Sequence, residues 1–219
     1  MVAVSWETRT VESGRMGRGR VGSVVDVTTA VRGRIVRAAR SLLEERGVEE
    51  ALTLRAVARG AGVSAPSIYH HFPDLAAVLE AVIDEAYGEY AAATYGAAAG
   101  VEDPLERLRV GSLGALRFAR DHPATYRILF SRHRPSELSK IGARAAEDHV
   151  ITVEAIAACG PAGRPAGADA RTDAMLLWLG LHGAADLRPS HPRYPWPADD
   201  ELVDQLLQRI VLHDAARDG

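Results

Sequence analysis

Residues 52–79, LTLRAVARGAGVSAPSIYHHFPDLAAVL, limit the possible folds of this chain more than any other segment. Thr53 is suited to cap a short helix whose apolar residues recur at helical spacing. Ser64 is suited to cap a second short helix, which has a proline in its first turn, where proline is tolerated. The two helices are joined by a tight turn in which Gly62 can adopt positive φ, and this arrangement predicts a helix-turn-helix.

The second of these helices has an inner and an outer face. We expect Ile68 and Phe72 to form a small core with Val57 and Val63. The outer face carries small side chains for close approach, and hydroxyl and imidazole groups for phosphates and base edges, as a recognition helix in a DNA major groove requires. The residues predicted to face outward are Ala65, Pro66, Ser67, Tyr69 and His70.

Helical patterns follow one another along the rest of the chain, and no segment shows a convincing strand pattern. Glycine and proline predict loops at residues 160–168 and 189–197. The sequence therefore predicts an all-α protein of about nine helices. The predicted helices include residues 32–46, 53–59, 64–72, 104–120, 136–158, 169–187 and 199–214, together with one that starts after Asp74 and a short one containing Tyr126 and Phe130.

Charge is distributed unevenly along the 219 residues, whose net charge is −3. Residues 1–74 carry eleven arginines and eight acidic residues, whereas the remainder has six more acidic than basic residues. A mildly basic front on an acidic body favours a localised nucleic-acid footprint. We expect a flexible arm over residues 1–28, a helix-turn-helix DNA-binding domain over 29–75 and a second helical domain over 76–219.

The composition and the motifs argue against several classes of protein. Cys159 is the only cysteine, so no intrachain disulfide can form. No apolar run approaches the roughly 20 residues of a membrane span, and the N-terminus lacks the apolar stretch of a secretory signal. Phosphate-cradling, zinc-protease and nucleophile-elbow motifs are missing, and the histidines are too scattered for a metal site. We expect a cytoplasmic protein with no membrane contact, enzymatic activity, catalytic residue, metal or cofactor.

The helix-turn-helix and its flanks resemble the TetR family of bacterial transcription regulators. The resemblance covers roughly residues 30–80 and is specific, because many fixed spacings match together. The matching residues are Arg32, Ile35, Ala38, Ala39, Leu42, Leu43, Gly47, Thr53, Val57, Ala58, Ala61, Gly62, Val63, Ser64, Ile68, Tyr69, His71, Phe72, Val78 and Leu79.

This resemblance implies an all-helical homodimer, in which a three-helix DNA-binding domain precedes a domain for ligand binding and dimerisation. It implies that Thr53 and Tyr69 contact phosphates of double-stranded DNA. The family commonly has lysine at the start of the fourth helix, where this chain has Leu75, so one expected phosphate contact is in doubt. The candidate DNA-binding residues are Arg32, Thr53, Ser64, Ala65, Pro66, Ser67, Tyr69 and His70.

The C-terminal half is similar to TetR-type regulators that carry a Trp-x-x-x-His-Gly signature, here Trp178, His182 and Gly183. Trp178 and His182 are at i and i+4 on one face of a predicted helix, and Gly180 and Gly183 allow another helix to approach. These residues either fill a core or line a pocket for an apolar or amphipathic small molecule. The candidate ligand-binding residues are Phe118, Tyr126, Phe130, His149, Trp178 and His182.

Together these features predict a ligand-responsive repressor that binds a near-palindromic operator as a homodimer. We expect the helices at 169–187 and 199–214 to form a four-helix interface between two copies. The alternatives are an activator or a ligand-independent regulator of the same fold and, outside that class, a small helical enzyme or binding protein.

Overall fold

A computed structural model describes residues 22–46, 52–130, 139–159 and 168–211. Nine α-helices and one π-helix lie within these residues, which contain no strand, so the all-α prediction is confirmed. The helices are α1 (Gly22–Arg46), α2 (Leu54–Ala61), α3 (Ala65–Ile68), α4 (Leu75–Ala91), the π-helix (Ala92–Gly96), α5 (Pro104–Asp121), α6 (Pro123–Phe130), α7 (Ser139–Ala158), α8 (Ala168–Ser190) and α9 (Asp199–Ile210).

The helix-turn-helix consists of α2 and α3, and local interactions define its limits. Thr53 caps α2, because its Oγ1 accepts a hydrogen bond from the backbone N–H of Ala56 at 3.2 Å. Gly62 follows α2 with φ 66°, the left-handed conformation that the sequence predicts for the turn. Ser64 caps α3, because its Oγ accepts a hydrogen bond from the N–H of Ser67 at 3.3 Å.

Two apolar cores organise the described part of the chain. The first core joins α1–α4 to parts of α5 and α6, and its fully buried residues include Ile35 and Ile68. The second core lies among α5, α7, α8 and α9, with Ile156 and Val203 buried inside it. Helix α5 contributes to both cores and so connects them. The first core continues past residue 75 through α4 and so does not mark the domain boundary predicted there. That boundary stays a prediction.

The first helix begins earlier than the sequence indicates. Helix α1 starts at Gly22, so the expectation of a flexible arm over residues 1–28 is wrong for residues 22–28. The valine and threonine pairs in this stretch hide any amphipathic period, but extending an existing helix costs far less than starting one. Residues 1–21 and Gly47, one of the residues that carry the family resemblance, lie outside the described residues.

The C-terminal helices correspond to the predicted ones, with small differences at their ends. Helix α8 continues to Ser190, three residues beyond its predicted end, with Pro189 in its last turn. Helix α9 begins at Asp199 as expected, and the structure describes it as far as Ile210. Within the described ranges, none of the helices combines the length and the apolar character that crossing a membrane requires.

The π-helix that continues α4 is not indicated by the sequence, which predicts only a helix that starts after Asp74. Thr94 is buried within it, and its hydroxyl donates to the carbonyl of Tyr90 at 2.8 Å. Gly114 of α5 packs against the carbonyl of Ala93, and a Cβ built on Gly114 would overlap that oxygen. Because glycine has no side chain, residue 114 allows α5 and the π-helix to approach closely.

Candidate nucleic-acid interface and aromatic cluster

Helix α3 and the turn after it present the outward face that the sequence predicts. Ile68 and Phe72 are buried in the first core, whereas Tyr69 is 58% exposed. His70 is exposed and His71 is half-buried, so the choice of His70 as the histidine that faces DNA stays a prediction. The remaining outward residues are exposed or half-buried: Ala65, Pro66 and Ser67.

An open groove runs between the start of α2, α3 and the start of α4. Its volume is about 500 Å³, and both residues expected to contact phosphates, Thr53 and Tyr69, line it. Leu75 lines the same groove, at the position where the family commonly has lysine. The groove thus brings the two predicted phosphate contacts together and has an apolar side chain in place of a third.

Arg55 also lines this groove and is exposed, although it is not among the DNA-binding residues predicted from the sequence. Its signal is its position, two residues after the helix cap and outside the apolar row of α2. A guanidinium at the start of a helix, in the groove that Tyr69 also lines, is suited to a phosphate because it supplies charge and several donors.

Two other predicted DNA-binding residues have structural contacts of their own. The guanidinium carbon of Arg32 lies 4.6 Å from the centre of the Phe72 ring, a cation–π arrangement that connects α1 to the end of the recognition segment. Ser64 uses its hydroxyl oxygen as the cap of α3. Both side chains therefore stabilise the helix-turn-helix, and their contact with DNA stays a prediction.

Ring side chains from α4, α5, α6 and α8 form a connected group, which we call the aromatic cluster. The Tyr90 ring lies 5.6 Å from that of Phe118 and 5.4 Å from that of Phe130, both edge to face. The His182 ring lies 4.3 Å from the rings of both Phe130 and Trp178. The residues of the aromatic cluster are Tyr90, Phe118, Tyr126, Phe130, Trp178 and His182.

Five of the six candidate ligand-binding residues thus lie together, and His149 is the exception. His149 is half-buried on α7, and no ring contact in the described part of the chain joins it to the aromatic cluster. Tyr90 belongs to the cluster but was missed by sequence reasoning. It lies in the buried row of α4, where its spacing indicates only a core position.

A short hydrogen bond connects α6 to α8 within the aromatic cluster. The hydroxyl of Tyr126 and Nδ1 of His182 are 2.5 Å apart. Burial lowers the pKa of His182 to about 4, and burial raises the pKa of Tyr126, so both side chains are neutral near pH 7. The second ring nitrogen of His182, Nε2, is buried and has no hydrogen-bond partner in the described part of the chain.

Trp178 lies at the edge of the aromatic cluster, with 49% of its surface exposed. The outward face of α8 carries other exposed apolar side chains, which with Trp178 form what we call the α8 stripe. The α8 stripe consists of Met175, Leu176, Trp178, Leu179 and Leu187.

The two glycines of α8 differ in how closely another helix approaches them. Gly180 admits Leu206 of α9, whose Cδ2 would lie 2.9 Å from a Cβ built on that glycine. No described atom outside the glycine's own helix backbone lies within 4 Å of a Cβ built on Gly183, so of these two glycines Gly180 is the one with a close helix approach.

A cavity of about 200 Å³ lies where α5 meets the π-helix. Ala93, Gly114, Phe118 and His122 are among its lining residues. Phe118 belongs to both the cavity and the aromatic cluster, so the cluster adjoins the close contact between α5 and the π-helix.

Helix-turn-helix transcription regulators contain two short, capped helices, of which the second presents an exposed, polar recognition face. Residues 35–82 match the family described as bacterial regulatory proteins of the tetR family, and residues 108–211 match the tetracyclin repressor-like C-terminal domain. These matches span more than half of the sequence, and the chain belongs to the TetR family. The predicted class, a DNA-binding transcription regulator and not an enzyme, is thereby confirmed.

Solved structures of similar fold cover most of the chain. The putative regulatory protein SCO4313 is 25% identical with a TM-score of 0.67, covering 85% of this chain and 98% of its own. AibR, in complex with isovaleryl coenzyme A and operator DNA, is 17% identical with a TM-score of 0.65 over 83% and 98% of the two chains. The ketosteroid transcriptional regulator KstR2 of Mycobacterium tuberculosis is 20% identical with a TM-score of 0.56 over 83% and 93%. No curated protein sequence matches the chain.

Proposed function

We propose that this TetR-family regulator is a ligand-responsive repressor that binds a near-palindromic operator as a homodimer in the cytoplasm. The observation that carries the DNA-binding assignment is the common groove of Thr53 and Tyr69, beside the outward face of α3. A hydroxyl at a helix cap and a phenol on the next helix fit adjacent phosphates, and they orient α3 toward the major groove.

Within this assignment the side chains divide by role. Thr53, Tyr69 and Arg55 contact phosphates and set affinity for every duplex, because phosphates carry no sequence information. The outward residues of α3 contact base edges and set the preference between operators. The base-contacting residues are Ala65, Pro66, Ser67 and His70.

The α8 stripe supports a homodimer. Met175, Leu176 and Leu179 are each more than two-fifths exposed, although they are apolar and neighbours on one helix. Such a surface favours burial against a symmetric copy of itself. Leu202 and Leu206 of α9 are half-buried against the second core of their own chain, and we infer that α9 has a smaller share of the interface than α8.

The aromatic cluster supports a small-molecule effector. Its rings are largely apolar, and the hydrogen-bonded Tyr126–His182 pair is its polar element, a combination of side chains that is common in small-molecule sites. The names of two structural relatives mention isovaleryl coenzyme A and ketosteroid, and we infer that this chain too responds to an apolar or amphipathic molecule. We also assign its C-terminal domain to the Trp-x-x-x-His-Gly type.

A gel shift with the DNA upstream of the protein's own gene tests the DNA-binding assignment. Tyr69→Ala removes a phosphate contact from both halves of the dimer, and we expect affinity to fall at least about tenfold for specific and unrelated duplexes alike. Tyr194→Ala is the matched control, because Tyr194 is a comparably exposed tyrosine in the C-terminal half. Equal affinities of the two variants would contradict the role of Tyr69.

A transcription reporter under the same DNA tests the sign of regulation. We expect the wild-type chain to lower reporter output and Tyr69→Ala to restore it. Output that rises with the wild-type chain would identify an activator, and the proposal of a repressor would then be wrong.

A further inference from the structure

The imidazole of His182 is engaged on one side only. Its Nδ1 lies 2.5 Å from the Tyr126 hydroxyl, whereas its Nε2 is buried without a partner. A buried polar atom that makes no hydrogen bond costs free energy, and such atoms are rare in folded proteins. The position of Nε2, inside the aromatic cluster and next to a half-exposed tryptophan, makes it a candidate contact for a ligand.

The hydrogen bond to Tyr126 determines which nitrogen of His182 carries the proton. A neutral imidazole has one N–H donor and one bare nitrogen acceptor. The bare nitrogen is far more basic than a phenol oxygen, so the Tyr126 hydroxyl donates and Nδ1 accepts. The ring proton then resides on Nε2, and the unpartnered atom is a hydrogen-bond donor that requires an acceptor.

The surroundings of Nε2 restrict the acceptor further. The rings of Phe130 and Trp178, each centred 4.3 Å from the His182 ring, provide apolar walls. Asp186 lies one turn further along α8 and acts electrostatically on both His182 and Tyr126. A negative charge nearby disfavours an anionic ligand, and the neutral imidazole offers no charge to attract one.

We propose that the Nε2–H of His182 anchors the effector, and that the effector is a neutral, largely apolar molecule with a carbonyl oxygen, such as a ketone, an ester or a thioester. This inference rests on the proposed ligand-responsive function and specifies the ligand of that site. Trp178 is the member of the aromatic cluster with a large exposed surface, so its displacement gives access to Nε2.

The position of this site connects it to both ends of the molecule. Trp178 belongs to the α8 stripe, so a ligand that displaces its ring disturbs the proposed contact between the two copies. On the other side, Thr125 precedes Tyr126 on α6, and its hydroxyl accepts a hydrogen bond from Arg40 of α1 at 3.1 Å. Movement of α6 against α8 is thereby transmitted to the helix that precedes the helix-turn-helix.

The tautomer of His182 can be tested without knowing the effector. The full-length protein is labelled with ¹⁵N-histidine, and two-bond proton–nitrogen spectra identify which nitrogen carries the proton. The His182→Gln spectrum identifies the His182 signals by their loss. We expect the Nε2–H tautomer at pH 7, and its loss in Tyr126→Phe but not in the control Tyr194→Phe. An Nδ1–H tautomer or an imidazolium in the wild type would overturn the proposal.

The class of ligand is tested with three probes of similar length, 2-nonanone, 2-nonanol and nonanoate, at equal millimolar concentrations. We expect 2-nonanone to shift the His182 Nε2 signal and raise the melting temperature of the wild type most, because it is both neutral and a pure acceptor. The rise should disappear in His182→Gln. Equal effects on both proteins, or a larger effect of nonanoate, would overturn the proposal.

Operator binding by the wild-type chain separates this inference from the function on which it rests. If gel shifts detect specific DNA binding while His182 has the opposite tautomer, the inference about the anchor is wrong and the regulator assignment stands. If specific DNA binding is missing while 2-nonanone binds through His182, the proposed repressor is wrong, and the inference that His182 donates to a carbonyl ligand stands.

Discussion

The guanidinium of Arg40 on α1 donates to both carboxylate oxygens of Glu89 on α4, over 2.6 and 2.8 Å. It also donates to Glu44 at 2.9 Å and to the Thr125 hydroxyl of α6 at 3.1 Å. The Thr125 hydroxyl in turn donates to Glu44 at 2.7 Å. These four residues, the Arg40 network, join α1 to both α4 and α6 by charged hydrogen bonds.

The Arg40 network is ionised at neutral pH. Its hydrogen bond to Glu89 raises the pKa of Arg40, and the same bond lowers the pKa of Glu89. Burial acts to raise the pKa of Glu44, but the hydrogen bonds from Thr125 and Arg40 outweigh it, so that pKa is lowered too. The stabilisation from both carboxylates is present above their unfolded pKa of 4.5 and is lost as pH falls through the lowered folded values.

Arg40→Ala should lower the free energy of unfolding by about 1–2 kcal/mol, because it removes a half-buried guanidinium and leaves the half-buried Glu44 and the exposed Glu89 without their donor. Urea unfolding at pH 7 measures the loss. The exposed Arg120, which pairs with Asp121 and Asp199, is the matched control. Arg120→Ala should cost no more than about 0.5 kcal/mol. Equal losses would mean that the Arg40 network contributes no more than a surface ion pair.

The stability of the protein should fall as pH decreases from about 6.5 to about 4, because of His182. Burial holds the pKa of His182 at about 4 in the folded protein, against 6.5 for the ordinary side chain. In this window the unfolded chain binds a proton that the folded chain does not, so protonation favours unfolding. The loss reaches about 2 kcal/mol at pH 5, as urea unfolding at pH 7 and pH 5 would measure.

His182→Gln removes the titrating group and should flatten this dependence, since Glu44 and Glu89 begin to lose their contribution only below pH 4.5. A wild type with the same stability at pH 5 and pH 7, or a variant with an undiminished slope, would show that His182 is not held neutral by burial.

The recognition segment could be predicted from the sequence because its structure is determined locally. Thr53, Ser64 and Gly62 act through contacts within three or four residues, and the caps and the positive φ occur where the pattern places them. Exposure of Tyr69 and burial of Ile68 follow from the same helical spacing. Arg55 was not predicted as a contact, because the groove that it lines is formed jointly by α2, α3 and the start of α4.

The aromatic cluster could be predicted only in part. The pairing of Trp178 with His182 follows from spacing within one helix, but Tyr126 meets His182 across 56 positions of the chain. The π-helix has no pattern that distinguishes it from a fading α-helix. It packs against Gly114, a residue of another helix. Long-range packing decides these features, and no local period encodes it.

Leu75→Lys should strengthen DNA binding, because it introduces a cation into the groove shared by Thr53 and Tyr69. One added phosphate contact per protomer steepens the dependence of log K on log salt by about 0.9, or about 1.8 for a dimer. Gel shifts at several salt concentrations measure the slope. Ala99→Lys adds the same charge at an exposed position after the π-helix and should leave the slope unchanged. A slope that does not respond to Leu75→Lys would remove this groove from the DNA interface.

Leu179→Glu should convert the proposed dimer to a folded monomer. Leu179 is 50% exposed in the single chain, so a carboxylate there disturbs an interface far more than a core. Light scattering measures the mass, and circular dichroism checks the helix content. Val150→Glu on α7 is the control, with similar exposure outside the α8 stripe, and should remain a dimer. A dimeric Leu179→Glu protein would exclude the α8 stripe as the centre of the interface.

Gly114→Ala should destabilise the protein by about 1–3 kcal/mol, the usual cost of forcing a methyl group into a packed contact. The added Cβ would overlap the Ala93 carbonyl, so α5 and the π-helix must move apart. Gly88→Ala in α4 is the matched control, because no described atom outside its own helix backbone lies within 4 Å of a Cβ built there. Alanine favours the helix over glycine by up to about 1 kcal/mol, so Gly88→Ala should stabilise the protein. Urea unfolding of both variants measures the difference. If both variants changed stability in the same direction, the contact between Gly114 and Ala93 would not be close enough to require glycine.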